Sequence, residues 1–525
     1  MSQRIIMELQ ATKEKKYLGK FITDEIIDSW QDRITYVCAG TNAGKTYLCL
    51  NNLYNYYKAR NQKVLIVAPR RLLREQTTAE AQGKFGNLNV VTYQKLEYKA
   101  EKGDIDQFLA KFSAIICDEF QYFYEDSALN QNTEKSLDAI MFSNKTLFLL
   151  SATGDQMADY IENTYDVGID KVEFHGMERS IPRLYYYDGE EGLDQIVNQA
   201  IIEHTKTLVF VSQIETAIKL VERYRDDVAI YFSPSQQNKR KFEKYVDKIE
   251  YQNIVEHEKF DKTVYVATIA LDVGVSIKDP DLHNIVIDGI ADIDQIIQCV
   301  GRKRIQRDKE EVYLYVRNIE NATINAFATH TQAKINLATE LIQNGRAAYI
   351  KKRDKHRHRP DPEGLIYDLP TDGNKHINHL ILYKYKCMVA NYRKMVGIKK
   401  IGYLQTIMNT FKCKKLIYWN VNDDADLYAY LETLALAENP KTRKENNSKW
   451  LLDDDAKNKF KKHLGLGRGY HLIDKPEIEY INAYIRIQKK FPFKLEKRET
   501  SRRIDGKKIK YKNAWRVVKC PVEKR

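Results

Sequence analysis

The sequence predicts an α/β protein of two tandem, doubly wound parallel-sheet domains, followed by a basic, mainly helical segment that ends in a β-hairpin. Three observations predict it. Short, unbroken β-branched runs alternate with longer helical patterns from Ile34 to about Val316. Unbroken runs, unlike alternating ones, belong to strands buried on both faces, as in a parallel sheet with helices on each side. Their number suits two such domains rather than one. Charge then divides the chain of net charge +13: residues 341–525 carry roughly +22 and residues 1–340 roughly −9. An acidic front joined to a basic back implies an engine attached to a polyanion-binding part, although many exposed helices are simply basic.

The bulk composition is that of a globular chain: 525 residues, 43% hydrophobic, 30% charged, 11 prolines. No apolar run approaches the ~20 residues of a membrane span. Residues 1–20 lack the apolar stretch of a signal peptide, so a cytoplasmic location without membrane partners is expected. The seven cysteines are scattered with no C-x-x-C pair, which predicts thiols rather than a disulfide frame or zinc site.

The first strand, residues 34–38, runs into Ala39, Gly40, Thr41, Asn42, Ala43, Gly44, Lys45 and Thr46. A strand, a small-residue turn ending in Gly-Lys-Thr and then a helix turns backbone N–H groups toward the oxygens of a triphosphate. Lys45 is placed to reach the β- and γ-phosphates, and the Thr46 hydroxyl to hold Mg²⁺. The strict pattern has Gly where Ala39 stands, and a chance Gly-Lys-Thr in a surface turn is the competing reading of this motif alone. Further strands are predicted at 64–68, 90–92, 114–117 and 146–150, then at 207–211, 228–232, 263–267, 284–287 and 312–316, with the domain break in 174–183. In open α/β sheets the chemistry gathers at the C-terminal strand ends. There the run 114–117 delivers Asp118, Glu119, Phe120 and Gln121. Asp118 suits a water-mediated Mg²⁺ contact and Glu119 the polarisation of an attacking water. An isolated Asp-Glu is more often a solvated turn, but this one follows the phosphate loop by about seventy residues.

Other strand ends carry Pro69 and Arg70, then Thr92, then Ser151-Ala-Thr153, then Ser212. After them come Thr268 with Asp272, Gly274 and Ser276, and Gln298-Cys-Val-Gly-Arg302-Lys-Arg304. In that order the motifs resemble those of a superfamily 2 helicase, over residues from about 30 to 320. The resemblance implies two RecA-like domains that clasp ATP and its Mg²⁺ between them, with nucleic acid across their tops. It assigns catalysis to Lys45, Asp118, Glu119, Gln298, Arg302 and Arg304, and Mg²⁺ to Thr46 and Asp118. Nucleotide contacts fall to Gly40, Thr41, Asn42, Ala43, Gly44, Lys45, Thr46, Gln121, Asp272 and Gly274. Nucleic-acid contacts fall to Pro69, Arg70, Thr92, Ser212 and Thr268. Arg302 is the candidate arginine finger. The sequence departs from the family at Ile305, where a last Arg is usual, at Ser276, where Asp is usual, and at Gln121 and Asn42. The early Arg304 and the Gly-Val-Ser ending are similar to herpesvirus-type origin-binding helicases and related replication proteins of viruses and mobile elements. They leave open which of Arg302 and Arg304 is the finger. No adenine-reading element precedes Lys45, which implies hydrolysis tolerant of the base.

Residues beyond 330 match no helicase motif. The domain boundaries read as 1–178, 179–330, a helix and basic linker at 331–372, and a nucleic-acid-binding accessory domain at 373–525. Residues 374–419 read as mostly helical, with further helices at 423–438 and 453–464. The end reads as two strands around Asp505-Gly506, with Arg502, Arg503, Lys507, Lys508 and Lys510 crowding the tip. A basic hairpin there implies a wing on a phosphate backbone or a pin in a duplex, against an exposed hairpin that uses Lys to block edge pairing. The expected activity is ATP-driven DNA unwinding or translocation in replication, recombination or branch processing of a phage, virus or mobile element. A phage source would place the protein in its bacterial host's cytoplasm, alongside replication or recombination partners. An RNA helicase, or an origin-binding protein whose ATPase is a conformational switch, are the alternatives.

Overall fold

A computed structural model describes residues 4–12, 14–40, 43–69, 87–128, 132–176, 181–232, 242–268, 276–304, 311–355, 364–368, 374–398, 401–419, 424–435, 450–464, 477–489, 491–504 and 507–520. Two seven-stranded sheets organise these residues. The first holds β1 (Ile6–Gln10), β2 (Ile34–Ala39), β3 (Val64–Ala68), β4 (Leu88–Thr92), β5 (Ala114–Asp118), β6 (Thr146–Ser151) and β7 (Ile169–His175). Its spatial order is β1-β7-β2-β6-β5-β3-β4, and every neighbouring pair is parallel. Successive residues of each inner strand enter opposite cores: Val37, Ile66, Ile116 and Leu150 on one side, Tyr36, Val67, Ile115 and Leu149 on the other. This is the physical content of the unbroken apolar runs.

The second sheet begins with β8 (Arg183–Tyr187), β9 (Lys206–Val211), β10 (Val228–Tyr231), β11 (Val264–Thr268), β12 (Leu282–Asp288) and β13 (Tyr313–Arg317). Beyond it the helix Asn321–Lys355 breaks at Gly345, whose φ of 74° and ψ of −179° interrupt the helical ladder. A short antiparallel pair follows, β14 (Ile366–Asp368) with β15 (Lys375–Ile377). Then β16 (Lys415–Tyr418) joins the second sheet beside β8 and completes the parallel order β10-β11-β9-β12-β13-β8-β16. The chain ends in an antiparallel hairpin, β17 (Phe493–Ile504) and β18 (Lys507–Lys519). Two RecA-like parallel-sheet domains, a mainly helical C-terminal region and a terminal hairpin are therefore the architecture.

The ten sheet strands and the terminal hairpin read from the sequence are present; the structure adds β1, β7, β8 and β16 to the two large sheets, and the separate pair β14 and β15. β1 alternates exposed and half-buried residues at a sheet edge, and β16 lies inside a stretch whose spacing reads as helix. Both are short edge strands, set by the free edge they dock on more than by their own sequence.

The C-terminal region is tied to both sheets. The helix His379–Gly397 puts Leu380 into the core of the first domain, and Tyr383 meets Tyr160 at 5.2 Å between ring centroids. Asn378 caps that helix and also donates to the Ser127 carbonyl at 3.1 Å. The far end of the same helix places Tyr392 and Met395 in the core of the second sheet. That core continues through Leu427, Phe460 and Ile481 to the base of the hairpin at Phe493, Leu495, Trp515 and Val517. Among the described residues no helix is long and apolar enough to cross a membrane.

Candidate nucleotide site

The site is built where β2, β6 and β5 end side by side. Gly44 has φ +91°, a left-handed conformation that costs an L-residue roughly 1–2 kcal/mol. A Cβ on it would also lie 3.2 Å from the Cβ of Tyr17, whose segment is held to the loop by the Leu18 amide donating to Ala43 at 2.9 Å. From Gly44 a helix runs over residues 45–59, with a π-helical stretch at Leu48–Leu53. Its first turn carries Lys45 and Thr46, so its positive end opens onto the end of β2. Gly40 and Ala43 flank the loop; Thr41 and Asn42 lie outside the described residues.

Lys45 is nearly buried, at 8% exposure. Its ammonium donates to the Ala39 carbonyl at 3.1 Å and lies 3.2 Å from the Glu119 carboxylate. β5 delivers Asp118 between these elements, and the chain then turns through Glu119 at φ +48°. A left-handed Glu stores about 1–3 kcal/mol of strain, which the surroundings must offset. They do so at both ends of the carboxylate: Lys45 holds one oxygen, and the Gln121 amide donates to the other at 2.8 Å. The backbone on either side is also fixed, by Tyr93 Oη donating to the Asp118 carbonyl at 3.0 Å and the Phe120 amide donating to Leu150 at 3.2 Å.

The paired acids are driven apart in proton affinity. Burial and the neighbouring Glu119 push Asp118 up, against the pull of Lys45 and Arg304. Burial would raise Glu119 too, but Lys45, the Gln121 hydrogen bond and Arg302 outweigh it and hold Glu119 below the ordinary carboxylate range. A raised native pKa contributes stability fully present below the unfolded value near 3.9, and lost as pH rises through the native value. Asp118→Asn is therefore expected to raise the melting temperature of the nucleotide-free protein more at pH 8 than at pH 5. A gain of roughly 2–4 °C corresponds to about 1 kcal/mol in a domain of this size. Calorimetry at both pH values checks this, and an equal shift at each would refute it.

The second domain approaches through the helix Ile293–Gly301 and the turn after it. Gln298 does not point at the acids of 118–121; it donates to Glu125 at 2.5 Å, one short helix further along the first domain. Burial pushes Glu125 up to about 7, with Lys384 and the Gln298 bond opposing. The basic turn is clamped by a bridge between Ile277 and Lys303: the Ile277 amide donates to Arg302, and the Arg304 amide to Ile277, both at 2.8 Å. Arg304 Nε donates to Ser276 Oγ at 3.0 Å, and the buried Lys303 ammonium to the Asp279 carbonyl. Arg302 acts electrostatically on Glu119, and Arg304 on Asp118. Asp272 and Gly274 lie outside the described residues.

The residues assigned to nucleic acid fall at neighbouring strand ends: Ala68, before Pro69, pairs with Thr92 in the first sheet, and Val211, before Ser212, pairs with Thr268 in the second. Pro69 is buried and its carbonyl accepts from Gln94 at 3.1 Å, while Arg70 lies outside the described residues. Thr92 caps the helix Tyr93–Lys102 by accepting from the Lys95 amide at 3.2 Å. Ser212 is exposed at the end of β9, its amide donating to Asp288 at 3.0 Å, and Thr268 ends β11. Arg503, Lys507, Lys508 and Lys510 are exposed on the hairpin; the side chain of Arg502 lies outside the described part.

Sequence reasoning missed Gly154, which follows Ser151-Ala-Thr153. A Cβ there would stand 2.4 Å from the ring of Phe120, the residue after Glu119, and its amide donates to Tyr36 Oη at 3.2 Å. A glycine after a strand turn is unremarkable in sequence; only the Phe120 ring makes it obligatory. Gly154→Ala is expected to cost about 1–3 kcal/mol by overpacking. It should also lower turnover by displacing Glu119, as denaturation curves and single-turnover rates will show. Unchanged values for both would mean that Phe120 yields freely.

A family model described as "Type III restriction enzyme, res subunit" matches residues 13–89, the part containing residues 39–46. No curated protein sequence matches the chain. Among solved structures, the DEAD-box helicase Mss116 bound to single-stranded RNA is similar at 13% identity and a TM-score of 0.44, over 79% of this chain and 99% of that one. The Saccharomyces cerevisiae protein Dbp5 bound to RNA is similar at 15% identity and a TM-score of 0.40, over 57% and 83%. The DUF1998 helicase MrfA bound to DNA is similar at 12% identity and a TM-score of 0.44, over 69% and 57%. With every score below 0.5, the functional reading rests on the residues themselves.

Proposed function

We propose that this chain is an ATP-driven nucleic-acid helicase or translocase of the superfamily 2 type. The observation that carries the reading is the contact of Lys45 with Glu119 beside Asp118, with Arg302 and Arg304 of the second domain acting on those same acids. The donor set fits a magnesium-bound triphosphate: an ammonium and a helix N-terminus for phosphate oxygens, a hydroxyl and a carboxylate for the ion. Mg²⁺ supplies charge neutralisation on the phosphates. Lys45 is engaged by Glu119. Phosphate oxygens compete for that ammonium, and their success leaves Glu119 on Gln121, free to orient a water. Arg302 and Arg304 stabilise charge on the transferred phosphoryl group as the domains close. Because the helix His379–Gly397 is rooted in both domains, closure carries the C-terminal region with it.

The substrate we favour is DNA, in replication, recombination or branch processing of a phage, virus or mobile element. The support is the spacing of Arg302 and Arg304, the Ser276 ending and the basic, Tyr-rich C-terminal segment. The test is ATP hydrolysis with no nucleic acid, single-stranded DNA, forked DNA and RNA, with Lys45→Ala as the blank. Stimulation strongest on forked DNA supports the proposal. Stimulation by RNA alone overturns the choice of substrate, and no activity above the blank overturns the engine.

A further inference from the structure

The terminal hairpin has two unlike halves. Its base is built into the protein: Asn482 bonds both the amide and the carbonyl of Leu495, at 2.6 and 2.9 Å, and Trp515 exchanges two 3.0 Å backbone bonds with Leu451. Phe493, Leu495, Trp515 and Val517 are buried in the core. The pairing register then shifts between Arg498 and Thr500, a bulge that ends this support. Beyond it Arg503, Lys507, Lys508, Ile509, Lys510 and Lys512 are exposed, and the ribbon projects without a core. Such a ribbon contributes little to stability on its own.

Register sorts its side chains. Directly opposed residues share a face, and successive residues alternate. Arg503 is opposite Lys508 and Ser501 opposite Lys510, so these four lie on one face; Lys507, Ile509 and Tyr511, with the positions Thr500, Arg502 and Ile504 opposite them, lie on the other. The first face is cationic and hydroxylic throughout, and the second carries an exposed Ile509 at 41% and a half-buried Tyr511. Like charges placed directly opposite are destabilising, and Arg503 with Lys508 is such a pair. Among the described residues no ion pair joins Arg503, Lys507, Lys508 or Lys510 to a carboxylate. A polyanion laid along that face would relieve the repulsion.

Resting on the helicase reading, we infer that the face formed by Ser501, Arg503, Lys508 and Lys510 is the surface that grips a nucleic-acid phosphate backbone, while the face of Lys507, Ile509 and Tyr511 is turned away from it. Three exposed cations gather on the first face with no apolar residue among them, whereas the second face interleaves its cations with Ile509 and Tyr511; the base of the hairpin is packed into the core of the second sheet.

Arg503→Glu, Lys508→Glu and Lys507→Glu change net charge equally, and the neighbours Lys507 and Lys508 lie on opposite faces. The probe is duplex DNA in the full-length protein, over a series of salt concentrations. Arg503→Glu and Lys508→Glu should each weaken binding and flatten the slope of log K against log salt by about 0.9, the increment for one phosphate contact. Lys507→Glu should flatten it by less than half as much. Arg503→Glu and Lys508→Glu should also leave the melting temperature unchanged or raise it, because each turns the like-charge pair into an opposite-charge one; a misfolded variant would move the other way. Equal losses from the two faces, or none from either, overturn the inference. Hydrolysis without nucleic acid, measured on the same proteins, separates the cases: normal basal hydrolysis with unchanged slopes refutes the ribbon alone, and absent hydrolysis with the face-dependent slopes refutes the engine alone.

Discussion

Glu119→Gln is expected to keep nucleotide binding and to lower the hydrolysis rate by about 10²–10⁴-fold, the contribution of a positioned acid–base group. Glu119 is held by Lys45 on one oxygen and Gln121 on the other, in a left-handed conformation that its neighbours impose. The amide keeps the shape and the Gln121 contact but loses the charge that competes for Lys45. Nucleotide should therefore bind as tightly as before or more tightly, while the water loses its acceptor. Equilibrium binding of a fluorescent ATP analogue, set beside single-turnover hydrolysis, separates the two effects. Normal turnover would remove Glu119 from the chemistry; lost binding would make it structural.

The second large effect is expected at the basic turn of the second domain. Arg302→Ala should reduce hydrolysis by about 10³–10⁵-fold, the range for arginine fingers, with little change in nucleotide affinity. Arg304→Ala should cost less at saturating nucleotide, because Arg304 Nε is bound to Ser276 and helps hold the turn in place. The electrostatics favour this order: Arg302 lowers the proton affinity of Glu119, the acid proposed to orient the water, whereas Arg304 acts on Asp118. A larger loss from Arg304→Ala, with Arg302→Ala near normal, would exchange the two roles. Either ranking is read from kcat at saturating nucleotide.

Both predictions concern residues that the sequence picks out by type and order. The strands 64–68, 114–117 and 146–150 were legible for a related reason, since a strand buried on both faces reads as an unbroken apolar run; the interior strands β7 and β8 carry Asp170, Lys171 and Glu173, or Arg183, and were not read. Two edge strands, β1 and β16, escape that demand as well. β1 is half solvated and β16 has four residues beginning with Lys415, so neither differs in composition from a loop or a helix turn. Gly154 and Glu125 escaped for another reason. Their importance lies in a ring and an amide, Phe120 and Gln298, that come from distant sequence positions.

By itself the sequence determined the two parallel-sheet domains and the residue types at the strand ends, because burial pattern and turn chemistry are local. Only the tertiary structure decided that Lys45 meets Glu119, that Gln298 meets Glu125, and that one C-terminal helix is rooted in both domains. It also decided which lysines of the hairpin share a face, since that follows from a bulge and a pairing register. Contacts between segments far apart in the chain depend on how whole elements dock, and no single segment carries that information.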